Sequence, residues 1–128
     1  MRINPTPTKP VARLQNYLRT HRRRSGLSQA EVALLLGAVS GTKVSRYENF
    51  TRMPAALTIF ASEIVFNQPA SELFAGSYDA IRIDVQKRAR RMLKQLTARP
   101  DNQSKTILRK LELLRAIVEA KPNSAQPN

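Results

Sequence analysis

Apolar residues recur along this chain at helical rather than strand spacing. Val11, Leu14, Leu18 and His21 are three or four residues apart, and Ser25-Gly26 stops the pattern, which predicts a first helix. Ser28 stands three residues before Glu31, the spacing of a capping box, and opens a second short helix through Val32, Ala33, Leu35 and Leu36 to Gly37. Ala38 to Gly41 read as a turn, and Thr42 to Glu48 as a third short helix with Val44 and Tyr47 facing inward. Pro54 fits the first turn of a fourth helix, with Leu57, Phe60, Ile64 and Phe66 on its inner side until Asn67-Gln68-Pro69 ends it. Ser71 is placed to cap a fifth helix carrying Leu73 and Phe74.

Beyond Gly76 the period lengthens. Tyr78, Ile81, Val85, Ala89, Met92 and Leu96 line one face of a long amphipathic helix, with Arg82, Lys87, Arg88, Arg90, Arg91 and Lys94 mostly elsewhere. Thr97 to Ser104 form a loop, and Ile107, Leu111, Leu114 and Val118 make a second apolar stripe ending before Pro122, so the two helices can pair as an antiparallel hairpin. Alternating strand patterns, Gly-rich phosphate loops and repeats are missing, so the expected class is all-α. The expected division is an extended arm over 1–10, set by Pro5, Pro7 and Pro10, a compact helical domain over 11–76, the hairpin over 77–121, and a frayed tail over 122–128. Arg2 and Lys9 of the arm reach either a phosphate or a groove, or belong to an inert tail.

Charge narrows the class of partner. The 128 residues hold 22 Lys and Arg against 9 Asp and Glu, a net charge of +13, with 41% hydrophobic residues. That hydrophobic content is too high for a disordered polybasic tail, so the charge sits on a folded object. Residues 1–60 carry +8, residues 61–81 carry −3 and residues 82–128 carry +8, so two basic lobes flank a short acidic, apolar segment. A polyanion, first of all nucleic acid, is the partner this implies; an incidental excess serving solubility is the alternative. No cysteine is present, which excludes a disulfide framework and thiolate zinc sites. The longest apolar stretch, Val32 to Val39, is interrupted by Gly37 and far too short to span a bilayer, and no apolar h-region follows the N-terminal charge. A soluble cytoplasmic protein without a membrane partner is expected. The single His has no ligand set around it, and no nucleophile elbow, Walker loop or paired-carboxylate arrangement occurs, so neither enzyme activity nor a metal or cofactor is expected.

Two short helices joined by a tight turn, in a compact and strongly basic helical domain, have the geometry of a helix-turn-helix DNA reader. The residues themselves add a resemblance: Gly26-Leu27-Ser28-Gln29-Ala30-Glu31-Val32-Ala33, then Leu36-Gly37, Val44-Ser45-Arg46-Tyr47-Glu48-Asn49 and Pro54 resemble the phage repressor and Cro type helix-turn-helix domain, the XRE family of transcriptional regulators. The resemblance covers about residues 11 to 75. It implies a five-helix repressor-like domain followed here by the hairpin. It also implies that Arg22 pairs with Glu48, leaving Arg19, Arg23 and Arg24 for the DNA backbone or for solvent, and that His21, where the family usually has leucine, completes a core stripe. In two places the chain departs from the family. The turn before Val44 is one residue longer, with Ser40-Gly41 opening the third helix, and Phe50 stands at a usual glycine, which points to Asn49 as the left-handed residue ending that helix.

With the third helix in the major groove, Gly41, Thr42, Ser45 and Arg46 are the expected base-reading positions. Arg46 alone among them can grip guanine bidentately; a phosphate contact or a local ion pair is its other reading. Gln29, at the opening of the second helix, is expected on a phosphate with Lys43, Asn49 and Arg52. The hairpin offers dimer surface or folds back over its own core, and its basic face from Lys87 to Lys94 lies near flanking DNA or is merely solvated. The leading expectation is a sequence-specific regulator of double-stranded DNA acting as a homodimer on an inverted repeat. The alternatives are an antitoxin that autoregulates and binds a protein partner, and a general nucleic-acid or RNA-binding cofactor.

Overall fold

The structure, a computed structural model, describes residues 13–122, so the expected arm, the start of the first helix at Val11 and all but Pro122 of the tail lie outside the described residues. Seven helices and no strand occur among the described residues: α1 (Leu18–Arg24), α2 (Gln29–Leu36), α3 (Gly41–Glu48), α4 (Ala56–Phe66), α5 (Ala70–Leu73), α6 (Ala75–Thr97) and α7 (Lys105–Glu119). The protein is all-α. It divides into two compact units, one ending at Ser77 and the other starting at Tyr78.

In the first unit, α1 begins only at Leu18, and Arg13 to Tyr17 are not helical, so Leu14 is half exposed rather than on a buried helix face. Hydrogen bonds across the fold explain why. Tyr17 N–H donates to the Leu73 carbonyl (2.7 Å) and Gly76 N–H to that of Leu14 (2.8 Å), which ties this segment to the end of α5 and the start of α6. Buried Asn16 donates to the Tyr47 carbonyl (2.9 Å) and accepts from Leu18 N–H (3.1 Å), starting α1 while fixing it to the end of α3. A Cβ on Gly76 would overlap the Leu14 carbonyl and lie 2.6 Å from the carbonyl oxygen of Arg13. Gly76→Ala is therefore expected to lower stability by about 1 to 2 kcal/mol, because the atoms it meets are backbone and cannot swing aside; urea denaturation checks this.

Leu18, Tyr47, Leu73 and Phe74 form one core, and Val32, Ala33 and Val44 another, with Phe66 packed against both. The α4 face differs from the sequence expectation. Leu57, Phe60 and Ile64 are 78%, 56% and 82% exposed, whereas Ile59, Ser62 and Phe66 face the core. Eight of the eleven residues of α4 are apolar and they fall on all its sides, so hydrophobic period alone does not select its inner side. Pro54 precedes the helix instead of lying in its first turn. Ser71 lies inside α5 rather than capping it; the Glu63 carboxylate accepts from Ala70 N–H (2.5 Å) and satisfies that helix start.

In the second unit, α6 and α7 pair in antiparallel fashion along Ala89, Leu93, Leu96, Ile107, Leu111, Leu114, Ile117 and Val118. Ser104 caps α7 by accepting from Ile107 N–H, and buried Gln86 donates to the carbonyls of Ile117 and Ala120, closing the far end of the seam. Of the stripe expected on α6, only Ala89 and Leu96 are buried. Tyr78, Ile81, Val85 and Met92 flank the seam and are 39–60% exposed, because two helices alone cover only a narrow strip of each other. No helix among the described residues is long and apolar enough to cross a membrane.

Candidate nucleic-acid interface

The α2–turn–α3 element is locally well determined by the sequence. Ser28 and Glu31 form a capping box, with the Ser28 hydroxyl accepting from Glu31 N–H (3.0 Å) and the Glu31 carboxylate from Ser28 N–H (2.8 Å). Gly37, left-handed at φ 77°, ends α2, and Ala38 N–H folds back onto the Ala33 carbonyl (2.8 Å). Ser40 precedes α3 in extended conformation, and Gly41 is the first helical residue. Gly41 sits against α2: a Cβ there would lie 3.1 Å from the Ala30 nitrogen and 3.3 Å from the Gln29 carbonyl carbon. Its side-chain direction is thus toward α2, and outward it offers backbone only.

Val44, Tyr47 and Glu48 of α3 are buried. Thr42 and Arg46 are exposed, and Lys43 and Ser45 are partly so, giving α3 one side for the core and another for a ligand. The Arg46 carbonyl accepts from Thr51 N–H, Thr51 Oγ1 and Arg52 N–H, so the following loop is folded onto it. The Arg46 guanidinium itself has no carboxylate within salt-bridge distance among the described residues. Asn49 donates to the Ser45 hydroxyl (3.3 Å), and Arg52 is exposed in the loop beyond.

Beneath this surface lies a charged cluster. Glu48, whose side chain is wholly buried, accepts from Arg22 Nε (2.6 Å) and Nη2 (3.1 Å) and from the Gln29 amide (3.1 Å), and Arg19 approaches to 3.6 Å. Arg22 also donates to the Leu27 carbonyl (3.1 Å). One carboxylate therefore joins the end of α3 to α1 and to the first residue of α2. Burial pushes the Glu48 carboxyl up, but the hydrogen bonds from Arg22 and Gln29 and the charges of Arg22 and Arg19 outweigh it and hold it below its usual 4.5. Arg19, expected at the DNA backbone or in solvent, and Gln29, expected on a phosphate, are both brought to Glu48. His21 packs against Phe66 with ring centroids 6.1 Å apart, and burial, then Arg24, lowers its pKa against the pull of Glu72.

The end of α3 corrects one expectation. Asn49 has φ −90°, and Phe50, not Asn49, takes the left-handed conformation at φ 64°. Asn49 N–H bonds the Ser45 carbonyl as in a continuing helix, which moves the reversal one residue on. A bulky side chain at positive φ is strained. Phe50→Gly and Phe50→Ala lose the same ring, so their difference isolates the backbone; the glycine variant is expected to be more stable by about 1 kcal/mol in paired thermal melts.

Residues 13–58 match the family model of a helix-turn-helix domain. No curated protein and no solved structure matches the chain. The chain carries a helix-turn-helix domain of the DNA-binding kind; the match does not single out the phage repressor and Cro type among such domains.

Proposed function

We propose that this protein is a cytoplasmic, sequence-specific regulator of transcription that occupies operator DNA as a homodimer, in the manner of the phage repressor and Cro type. The observation that carries the reading is the division of α3: Val44 and Tyr47 are held in the core while Thr42, Ser45 and Arg46 are turned away from it within a matched helix-turn-helix domain. A helix presented in this way fits the major groove, where Arg46 pairs with the two acceptors of guanine and Thr42 and Ser45 meet base edges or a thymine methyl. Lys43, Asn49 and Arg52 supply phosphate contacts around it. Gln29 joins them through the amide N–H that Glu48 does not use. The protein acts by binding, without catalysis or cofactor.

B-form duplex DNA is the partner this geometry fits, since the deep, narrow major groove of A-form RNA excludes a helix. Competition against a labelled random-sequence duplex at near-physiological salt tests this. Unlabelled DNA duplex is expected to displace the label well below the concentration at which double-stranded RNA or single-stranded DNA does; equal competition by RNA overturns the reading and favours a general nucleic-acid role. Homodimerisation is proposed through the exposed apolar residues Tyr78, Ile81, Val85 and Met92 of α6, a surface that a second hairpin would cover to complete a four-helix bundle. Sedimentation equilibrium is expected to give twice the chain mass, and Ile81→Asp with Val85→Asp to give the chain mass with helix content intact. A monomeric wild type that co-purifies with a stoichiometric second protein would replace the homodimer with the antitoxin reading.

A further inference from the structure

Residues 78–122 hold twelve cations and five carboxylates, and the cations are not evenly spread. From Val85 to Thr97, α6 contains Lys87, Arg88, Arg90, Arg91 and Lys94 and no carboxylate; Asp84 lies just before this run. All five cations are exposed, and none has a carboxylate within salt-bridge distance among the described residues, whereas Arg82 pairs with Asp79 and Arg99 with Asp101. At about 100° per residue the five fall within an arc of about 160° centred opposite Ala89 and Leu96, which lie on the seam with α7. On α7 the cations Lys105, Arg109, Lys110 and Arg115 point around the helix and are interleaved with Glu112 and Glu119.

We infer that the outer face of α6, centred on Lys87, Arg91 and Lys94, is a second DNA-binding surface that grips the phosphate backbone of a duplex without reading its sequence. Five like charges on one face repel one another, so leaving them without counterions destabilises the hairpin unless a polyanion neutralises them. A lipid surface fits less well: an interfacial helix needs its apolar side free to enter the bilayer, and here Ala89, Leu93 and Leu96 are packed against α7, while the exposed remainder, Tyr78, Ile81, Val85 and Met92, is the surface proposed above for a second hairpin. Because the same chain carries a helix-turn-helix domain, duplex DNA is the polyanion it meets, and in this respect the inference rests on the proposed function. Each cation that settles on a phosphate releases counterion and steepens the fall of affinity with salt.

The full chain, its Lys87→Gln/Arg91→Gln/Lys94→Gln variant and a Lys105→Gln/Arg109→Gln/Lys110→Gln variant of equal charge are titrated with a random-sequence duplex from about 50 to 200 mM salt. The α6 variant is expected to flatten the slope of log affinity against log salt by about 2 to 3. It should bind about tenfold more weakly at the upper salt, with the circular dichroism of the wild type. The α7 variant is expected to flatten the slope by less than about 1. An unchanged slope for the α6 variant, or equal changes for both, overturns the inference. Sequence preference separates the two claims: a wild type that prefers one duplex while the α6 variant keeps the full slope fails only this inference, and a wild type that prefers none while α6 still governs the slope fails only the base-reading claim. A wild type that binds no duplex overturns both.

Discussion

Replacing Glu48 with Ala is expected to destabilise the protein by about 3 to 5 kcal/mol, seen as a large fall in the urea midpoint with little change in the steepness of unfolding. The magnitude follows from burial. The Glu48 side chain is 0% exposed and that of Arg22 13%, so the substitution leaves a guanidinium in the interior with only the Leu27 carbonyl as a partner. It also strands the Gln29 amide and removes a carboxylate that hydrogen-bonds to both α1 and α2 from the end of α3. Glu48→Gln keeps the shape and one acceptor, and is expected to cost less but still more than a surface change. The pH dependence has a definite sign. Glu48 has a folded pKa below 4.5, so its stabilisation is fully present above 4.5 and disappears as pH falls through the lower folded value. His21 is lowered from 6.5, so burying it neutral favours the fold above 6.5, and that contribution fades on acidification in the same direction. Stability measured from pH 7 downward should therefore fall, and Glu48→Gln should lack the component below 4.5. A variant that retains the wild-type acid profile would show that Glu48 is not the group responsible.

Arg46→Ala is expected to remove about 1 to 3 kcal/mol of discrimination, roughly 5- to 150-fold, between the preferred duplex and one changed at a single guanine pair. It should leave the fold intact, because the side chain is exposed and supports nothing beneath it. Binding to scrambled duplex should weaken far less. Arg52→Ala is the informative companion: a phosphate contact is blind to sequence, so all duplexes should weaken together and the salt slope should flatten by about 1. Parallel anisotropy titrations of both variants on preferred and scrambled duplexes separate the roles. Uniform losses from both would assign Arg46 to phosphate instead of a base.

Most of the helix-turn-helix was legible because its signals are local. The capping box at Ser28 and Glu31, the stop at Gly37 and the inward pair Val44 and Tyr47 are each fixed by residues within one or two turns. Other features depend on long-range partners. Leu18 rather than Leu14 begins the first helix because Leu73 and Tyr47, far along the chain, hold Tyr17 and Asn16. In α4, a helix apolar on every side gives period no purchase, and Ile59, Ser62 and Phe66 become the inner face through the packing of α1 and α5. The cap of α5 comes from Glu63, seven residues away, which no nearest-neighbour rule anticipates. At the candidate site, one carboxylate gathers Arg19, Arg22 and Gln29 from two helices, so individual residue types did not reveal which of them remain outward. The bulk of Phe50 points to Asn49 as the left-handed residue, yet Phe50 itself takes that conformation, because Asn49 N–H continues the helical bonding to Ser45.

Sequence reading by α3 is decided by selection from a random duplex library at near-physiological salt, with sequencing of the bound fraction. The expected result is enrichment of an inverted repeat whose half-sites are centred about one helical turn, roughly 10 base pairs, apart. A bound fraction as random as the input, retained through salt-sensitive binding, would contradict it.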